Sequence, residues 1–328
     1  MLCTTRSQKA DLIEAMDAGA DDFVVKPVSA EELRVRIRAA ERIVSLEQGL
    51  AERNRQLVTT NSRLQRAYEQ IEADIRAAAW IQENLLPSRS VHAHGVSCNW
   101  RFRPSSYVAG DIFNFFALDD RHVGFYLLDV AGHGVPAALC SVALSMMLTP
   151  DAAHGGPLRK YESASDTFAV ATPTEVIEDL NSRFQAAGDR HFSMSYGLLD
   201  MDTSLLRLAQ AGNPNPVLIH SGGQVRTLTT GGMPVGLWPE IQIESVEVPF
   251  SPGDRLVLCS DGITECTNVR DEEFGDGRLI EFLAGAARQP LDSMLNGLER
   301  RLEHWHGSAN FTDDVSMLAV ELTGQEMQ

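Results

Sequence analysis

The sequence predicts an α+β fold reached through a long helix, and three observations lead there. Residues 86–328 carry many short apolar runs with few helical stretches between them, without the regular strand–helix alternation of a doubly wound sheet. Residues 43–85 place an apolar residue at every seventh position and hold no proline. Residues 1–42 read as a helix, a short strand and a second helix. The predicted domains are therefore 1–42, 43–85 and 86–328, and a chain of 328 residues has room for at least two.

In the first region, 9–18 has helical spacing, with Leu12, Ile13, Ala15 and Met16 apolar and Gly19 as the stop. Phe23, Val24 and Val25 form a short buried strand before Lys26 and Pro27. Ser29 then caps a helix from Ala30, with Glu32 completing a capping box. The stretch AMDAGADDFVVKPVSAEELRVRI resembles the C-terminal half of a response-regulator receiver domain. That resemblance implies a partial α/β receiver, with Lys26 before a cis proline where the family contacts a phosphorylated aspartate. Thr4 or Thr5 falls where the family keeps a phosphate-contacting hydroxyl. It covers about 40 residues, in which the first three strands and the acidic phosphoacceptor pocket are missing, so the expectation is a fragment or a start further upstream.

In the second region Ile43, Leu50, Leu57, Leu64, Ile71 and Ala78 occupy d positions of a heptad, with Glu47, Asn54, Asn61, Tyr68 and Ile75 at a. A strict seven-residue repeat makes a left-handed coiled coil, and asparagine at a favours a parallel pair in fixed register. A homodimer through this helix is expected; one amphipathic helix packed on its own domain is the other reading.

In the third region, 123–128, 196–199, 205–211, 216–219, 255–259 and 315–321 read as strands, and 136–148 and 291–305 as helices. The segment 151–171 is polar and reads as an irregular surface insertion. The apolar stretch 123–148 includes Asp129 and His133 and reads as strand, loop and helix, so no membrane span is expected. With 45 acidic against 28 basic residues, the net charge of -17 disfavours nucleic-acid binding. The five cysteines form no C-x-x-C pair, and there is no basic and apolar leader, so a reducing cytoplasmic setting is expected.

Acidic residues at strand ends or beside glycine carry the chemistry: Asp111, Asp129, Asp261 and the pair Asp313–Asp314. One strand-end aspartate is usually a turn residue. Several converging on one sheet edge would repel one another unless a cation joins them, and an all-oxygen set suits Mg²⁺ or Mn²⁺. Gly132 and Gly134 would let the backbone approach a ligand.

The stretches AAWIQENLLP, VAGDIFNFFALDDRHVGFYLLDVAGHGVPAAL, AGNPNPVLIH, GGMPVGLW, LVLCSDGITECTN and FTDDVSMLAVEL resemble the PPM (protein phosphatase 2C-like) metal-dependent phosphatases, in the bacterial SpoIIE/RsbU branch. They keep the family's order over 77–322. The resemblance implies an antiparallel β-sandwich flanked by helices, with two Mn²⁺ or Mg²⁺ ions at one end. By the same resemblance Asp111 and Asp129 bridge the metals, the Val130 carbonyl helps hold one, and Asp261 and Asp313 hold the other. Asp314 is a polar neighbour in that set. His133 either orients water or protonates a leaving group, or is structural. The implied activity is a serine/threonine phosphoprotein phosphatase of a bacterial two-component pathway, in which water activated between two metals attacks phosphoserine or phosphothreonine. Its implied partner is a phosphorylated regulatory protein, such as an anti-sigma-factor antagonist. Asn114 stands where the branch often has a second aspartate, and Asn213 where it often has histidine. The alternative is a catalytically silent dimeric scaffold that binds a regulator.

Overall fold

The computed structural model describes residues 1–5, 9–88, 90–150, 156–162, 167–185 and 190–323. The chain divides into two compact units, Met1–Glu72 and Ala73–Gln328. The helix Ala30–Leu85 contributes residues to both.

In the first unit, Leu2–Thr4 and Phe23–Val25 pair in parallel, joined through the helix Lys9–Asp17. Gly19 has φ 91°, the left-handed conformation that ends a helix and favours glycine. The Lys26–Pro27 peptide bond is cis, as the receiver resemblance implies. Only half of the expected capping box forms. The Glu32 N–H donates to Ser29 Oγ at 3.1 Å, while the Glu32 carboxylate accepts from Arg36 instead. Along the long helix, Ile43, Leu50, Leu57, Leu64 and Ile71 are all more than half exposed, with Leu57 at 68%. Among the described residues these seam positions stay largely open to solvent.

The second unit is a β-sandwich. Its five-stranded sheet runs Ser245–Pro249, Leu205–Ala211, Phe192–Asp200, His122–Val130, Asp111–Ala117. Its six-stranded sheet runs Val225–Thr227, Val217–Ile219, Arg255–Cys259, Val315–Leu322, Val96–Arg103, Ser90–Ala93. Every pairing in both is antiparallel. Phe113 of one sheet packs at a tilt against Trp100 of the other, ring centres 5.2 Å apart. The strand Arg255–Cys259 shows why the centre is apolar throughout: Leu256 and Leu258 face the sandwich core, while Val257 and Cys259 join a second core. With both faces covered, period-two alternation of side chains leaves Leu256 to Cys259 apolar, and the one charged residue, Arg255 at the strand's start, is paired with Glu321 at 3.0 Å. The second core lies under the helices Gly275–Ala286 and Leu291–His306.

The helices Val135–Met147 and Pro173–Gln185 pack on strands of the five-stranded sheet. Five cysteines are free, four of them buried, as a chain without a disulfide framework requires. No helix of the described residues is long and apolar enough to cross a membrane.

One expectation is corrected. The described part of 151–171 is not irregular: Arg159–Glu162 and Thr167–Val170 form a hairpin. Tyr161 sits opposite Phe168 with ring centres 5.4 Å apart, and Leu158 and Ala171 are buried beneath, so cross-strand aromatic packing holds it. Residues 151–155 and 163–166 lie outside the described residues.

Candidate functional site

The predicted acids come together at one end of the sandwich. Asp111 opens its strand and faces Asp129, its register partner on the neighbouring strand. In the other sheet, Asp261 follows the strand Arg255–Cys259, and Asp313 and Asp314 precede its neighbour Val315–Leu322. The Gly110 N–H donates to Asp314 Oδ2 at 2.8 Å, which ties the two sheets together beside Asp111.

Glycine makes this approach possible. A Cβ on Gly110 would lie 2.8 Å from the Val130 carbonyl oxygen and 3.3 Å from Asp129 Oδ1. A Cβ on Gly262 would lie 2.1 Å from the Asp314 carbonyl oxygen. Gly132 and Gly134, after Asp129, have φ 97° and 77°, so the turn into the helix Val135–Met147 runs through backbone that other residues rarely adopt.

The electrostatics follow from burial. Asp111 is 1% exposed. Burial holds its carboxyl well above the usual range and the Asp129 charge adds to this, with nearby Ser316 and Ser260 hydroxyls pulling the other way. Its Oδ2 nonetheless has no hydrogen-bond partner, nor does Ser316 Oγ. Asp129 is pushed up to about 7, first by burial, then by the charges of Asp261, Asp313 and Asp314. Asp261 is raised by burial and then by Asp313. The charged groups that act on these three are all carboxylates.

The acids are turned to separate partners. Asp314 accepts from Ser105 N (2.7 Å), Ser105 Oγ (2.9 Å) and Gly110 N, so it organises the loop before Asp111. Asp313 Oδ1 accepts from the Asp314 N–H at 2.7 Å. Among the described residues no three His, Cys, Asp or Glu side chains are arranged to hold an ion. The donor set itself fits a hard divalent cation: it is all oxygen, it runs from the buried Asp111 through the half-buried Asp129 and Asp261 to the exposed Asp313, and Asp111 keeps an orphaned oxygen.

His133 is exposed in the loop after Asp129, and its ring makes no hydrogen bond among the described residues. Asn114 is not beside the acids. Three residues along a strand is an odd step, so Asn114 lies on the opposite face from Asp111. There its Oδ1 accepts from the Phe115 N–H at 2.8 Å, and the side chain approaches the buried Tyr126 phenol. The sequence reading gave no role to Gln82, which is 2% exposed. Its Nε2 donates to the Ala109 carbonyl at 2.8 Å, and its Oε1 accepts from the Ala109 N–H at 3.0 Å. The last turn of the long helix thereby clamps the residue two before Asp111.

Comparison with known proteins fits this arrangement. The chain is 22% identical over 251 residues to the phosphoserine phosphatase RsbP of Bacillus subtilis, covering 76% of this chain and 58% of that protein. It therefore spans little more than half of that relative's length. The SiaA-PP2C domain of Pseudomonas aeruginosa matches in structure with a TM-score of 0.65 at 21% identity, covering 78% of this chain and 98% of that one. That likeness shows the fold. A stretch of 48 residues is 40% identical to the transcriptional regulatory protein KdpE of Staphylococcus aureus, covering 15% of this chain and 21% of that protein. The model of the family described as Stage II sporulation protein E (SpoIIE) matches residues 119–323. With that match over more than half of the sequence and a PP2C-type sandwich, the chain belongs to the SpoIIE family of PP2C-type phosphatase domains.

Proposed function

We propose that this chain is a metal-dependent serine/threonine phosphoprotein phosphatase in which Asp111, Asp129, Asp261 and Asp313, with the Val130 carbonyl, hold two divalent ions, Mn²⁺ or Mg²⁺. One observation carries the reading: acids from both sheets lie at one end of the sandwich with only carboxylates acting on one another, and the buried Asp111 keeps an orphaned Oδ2. Asp314 holds the loop that carries Gly110 and Asp111. Two such ions would supply water deprotonated near neutral pH and positive charge for the phosphoryl oxygens. The chain's own part is to fix the acids, to shield Asp111 from bulk water, and to bring the backbone of Gly132 and Gly134 to the site's edge. His133, exposed beside that turn, is positioned by sequence to give a proton to the departing serine or threonine oxygen.

The substrate we infer is a phosphorylated regulatory protein such as an anti-sigma-factor antagonist. The likeness to RsbP, whose name is phosphoserine phosphatase, supports the phosphoserine part. Residues 1–42 act as the end of a receiver domain, a reading supported by the parallel strand pair and the likeness to KdpE. The exposed heptad seam supports a homodimer through 43–85.

The separate orientation of the acids favours a second reading, the silent scaffold. Hydrolysis of p-nitrophenyl phosphate with Mn²⁺, against the same protein in chelator, separates the two. Turnover that needs Mn²⁺ and disappears in Asp129→Ala supports the phosphatase. Folded protein with no turnover at any Mn²⁺ concentration supports the scaffold.

A further inference from the structure

We infer that Asn213 is a positioning residue for the proposed metal site, holding the two strands that present Asp129. The inference rests on the phosphatase reading above and extends it to a residue outside the acid set.

Asn213 is 7% exposed and lies in the turn after the strand Leu205–Ala211. Its Oδ1 accepts from Ser193 Oγ at 2.5 Å. Ser193 is the register partner of Asp129. Its Nδ2 donates to the Leu127 carbonyl at 3.0 Å and to Ser195 Oγ at 3.4 Å. Leu127 lies two residues before Asp129 on the same strand and pairs with Ser195. One amide thus grips both strands of the pair at the step beside Asp129.

The amide is itself held. Gln210 Nε2 donates to the Asn213 carbonyl, and Thr230 Oγ1 donates to Gln210 Oε1 at 2.8 Å. Gln210 and Thr230 are both buried. The turn cannot slide, because the Gly212 N–H donates to the Gly232 carbonyl at 3.0 Å and a Cβ on Gly212 would meet Pro234 at 2.7 Å. Each polar atom of the Asn213 side chain therefore has a partner, and the chain from Thr230 to Leu127 is continuous. A fully satisfied buried network of this kind fixes one geometry, and groups that orient metal ligands from behind control affinity strongly. A directly ligating role does not suit Asn213, since its oxygen is taken by Ser193.

The test uses Asn213→Ala and Ser193→Ala, the second cutting one arm only, with Asn213→His as the conservative variant. Mn²⁺ binding to the folded chain is measured by calorimetry, and amide exchange is measured in chelator over 127–131 and over 255–259. Asn213→Ala should weaken Mn²⁺ binding by about 10–100-fold and speed exchange at 127–131 while 255–259 keeps its protection. Ser193→Ala should weaken binding less, in the same direction, and Asn213→His should bind within a few-fold of the parent. If Asn213→Ala does not fold, Ser193→Ala decides alone. Mn²⁺ affinity within twofold of the parent in the folded variants overturns the inference, as does an equal loss of protection in both segments. A parent chain that binds no Mn²⁺ overturns the phosphatase reading instead, so the two failures are distinct.

Discussion

Replacing Asp129 with asparagine should make the metal-free chain more stable at pH 8 while ending its turnover. The carboxyl rises from its ordinary 3.8 to about 7, first through burial and then through the charges of Asp261, Asp313 and Asp314. A carboxyl raised in the folded state keeps its proton there while the unfolded chain has released it. That favours folding fully below the ordinary value, and the advantage is lost as pH climbs through about 7. Between pH 5 and pH 8 about two units of that interval are crossed, and at ~1.4 kcal/mol per unit the swing is roughly 3 kcal/mol. Asp111 and Asp261 are raised too, so their contributions run in the same direction. The assay is urea unfolding in chelator at both pH values. The parent should lose stability between pH 5 and pH 8, and Asp129→Asn should lose about 3 kcal/mol less. An identical pH dependence in parent and variant, or a variant less stable than the parent at pH 8, would refute the reasoning.

Three further substitutions test other parts of the account. Gly262→Ala puts a methyl 2.1 Å from the Asp314 carbonyl oxygen, so the backbone must move and stability should fall by roughly 1–3 kcal/mol in thermal unfolding, with turnover lost. Gln82→Ala strands the Ala109 N–H and leaves its carbonyl only Ser141 Oγ at 3.5 Å, and calorimetric unfolding should show a loss of about 1–3 kcal/mol. Leu57 and Leu64 changed together to lysine should shift a dimer to a monomer in sedimentation, and an unchanged mass would show that the seam is not the interface.

The parts that were legible in the sequence are those where local pattern and burial agree. The strand Arg255–Cys259 stood out because both of its faces are buried, and Gly19 marked a helix end because its φ demands it. Asp111, Asp129, Asp261 and Asp313 were legible because acids at the ends of apolar runs are conspicuous. The strand Val96–Arg103 was missed because Arg101 and Arg103 break its apolar pattern. Their partners Asp292 and Glu299 sit in the helix Leu291–His306, almost two hundred residues on. The helix Pro173–Gln185 did carry a local signal: Thr172 and Glu175 exchange hydrogen bonds as a capping box, a T-x-x-E pattern that sequence alone offers. Gln82 could not have been found that way. Its neighbours Trp80 and Ile81 are exposed while the amide is buried, the reverse of what polarity suggests, because only the fold brings Ala109 to it. The work of Asp314 was equally hidden, since its carboxylate is taken by Ser105 from the far side of the sequence.

Anomalous diffraction from crystals grown with Mn²⁺ tests the metal site most directly. Two manganese peaks are expected at the end of the sandwich, in contact with carboxylate oxygens of Asp129 and Asp261, with Asp111 Oδ2 no longer orphaned. Peaks only elsewhere on the surface, or none in crystals of protein that hydrolyses phosphoserine, would contradict it.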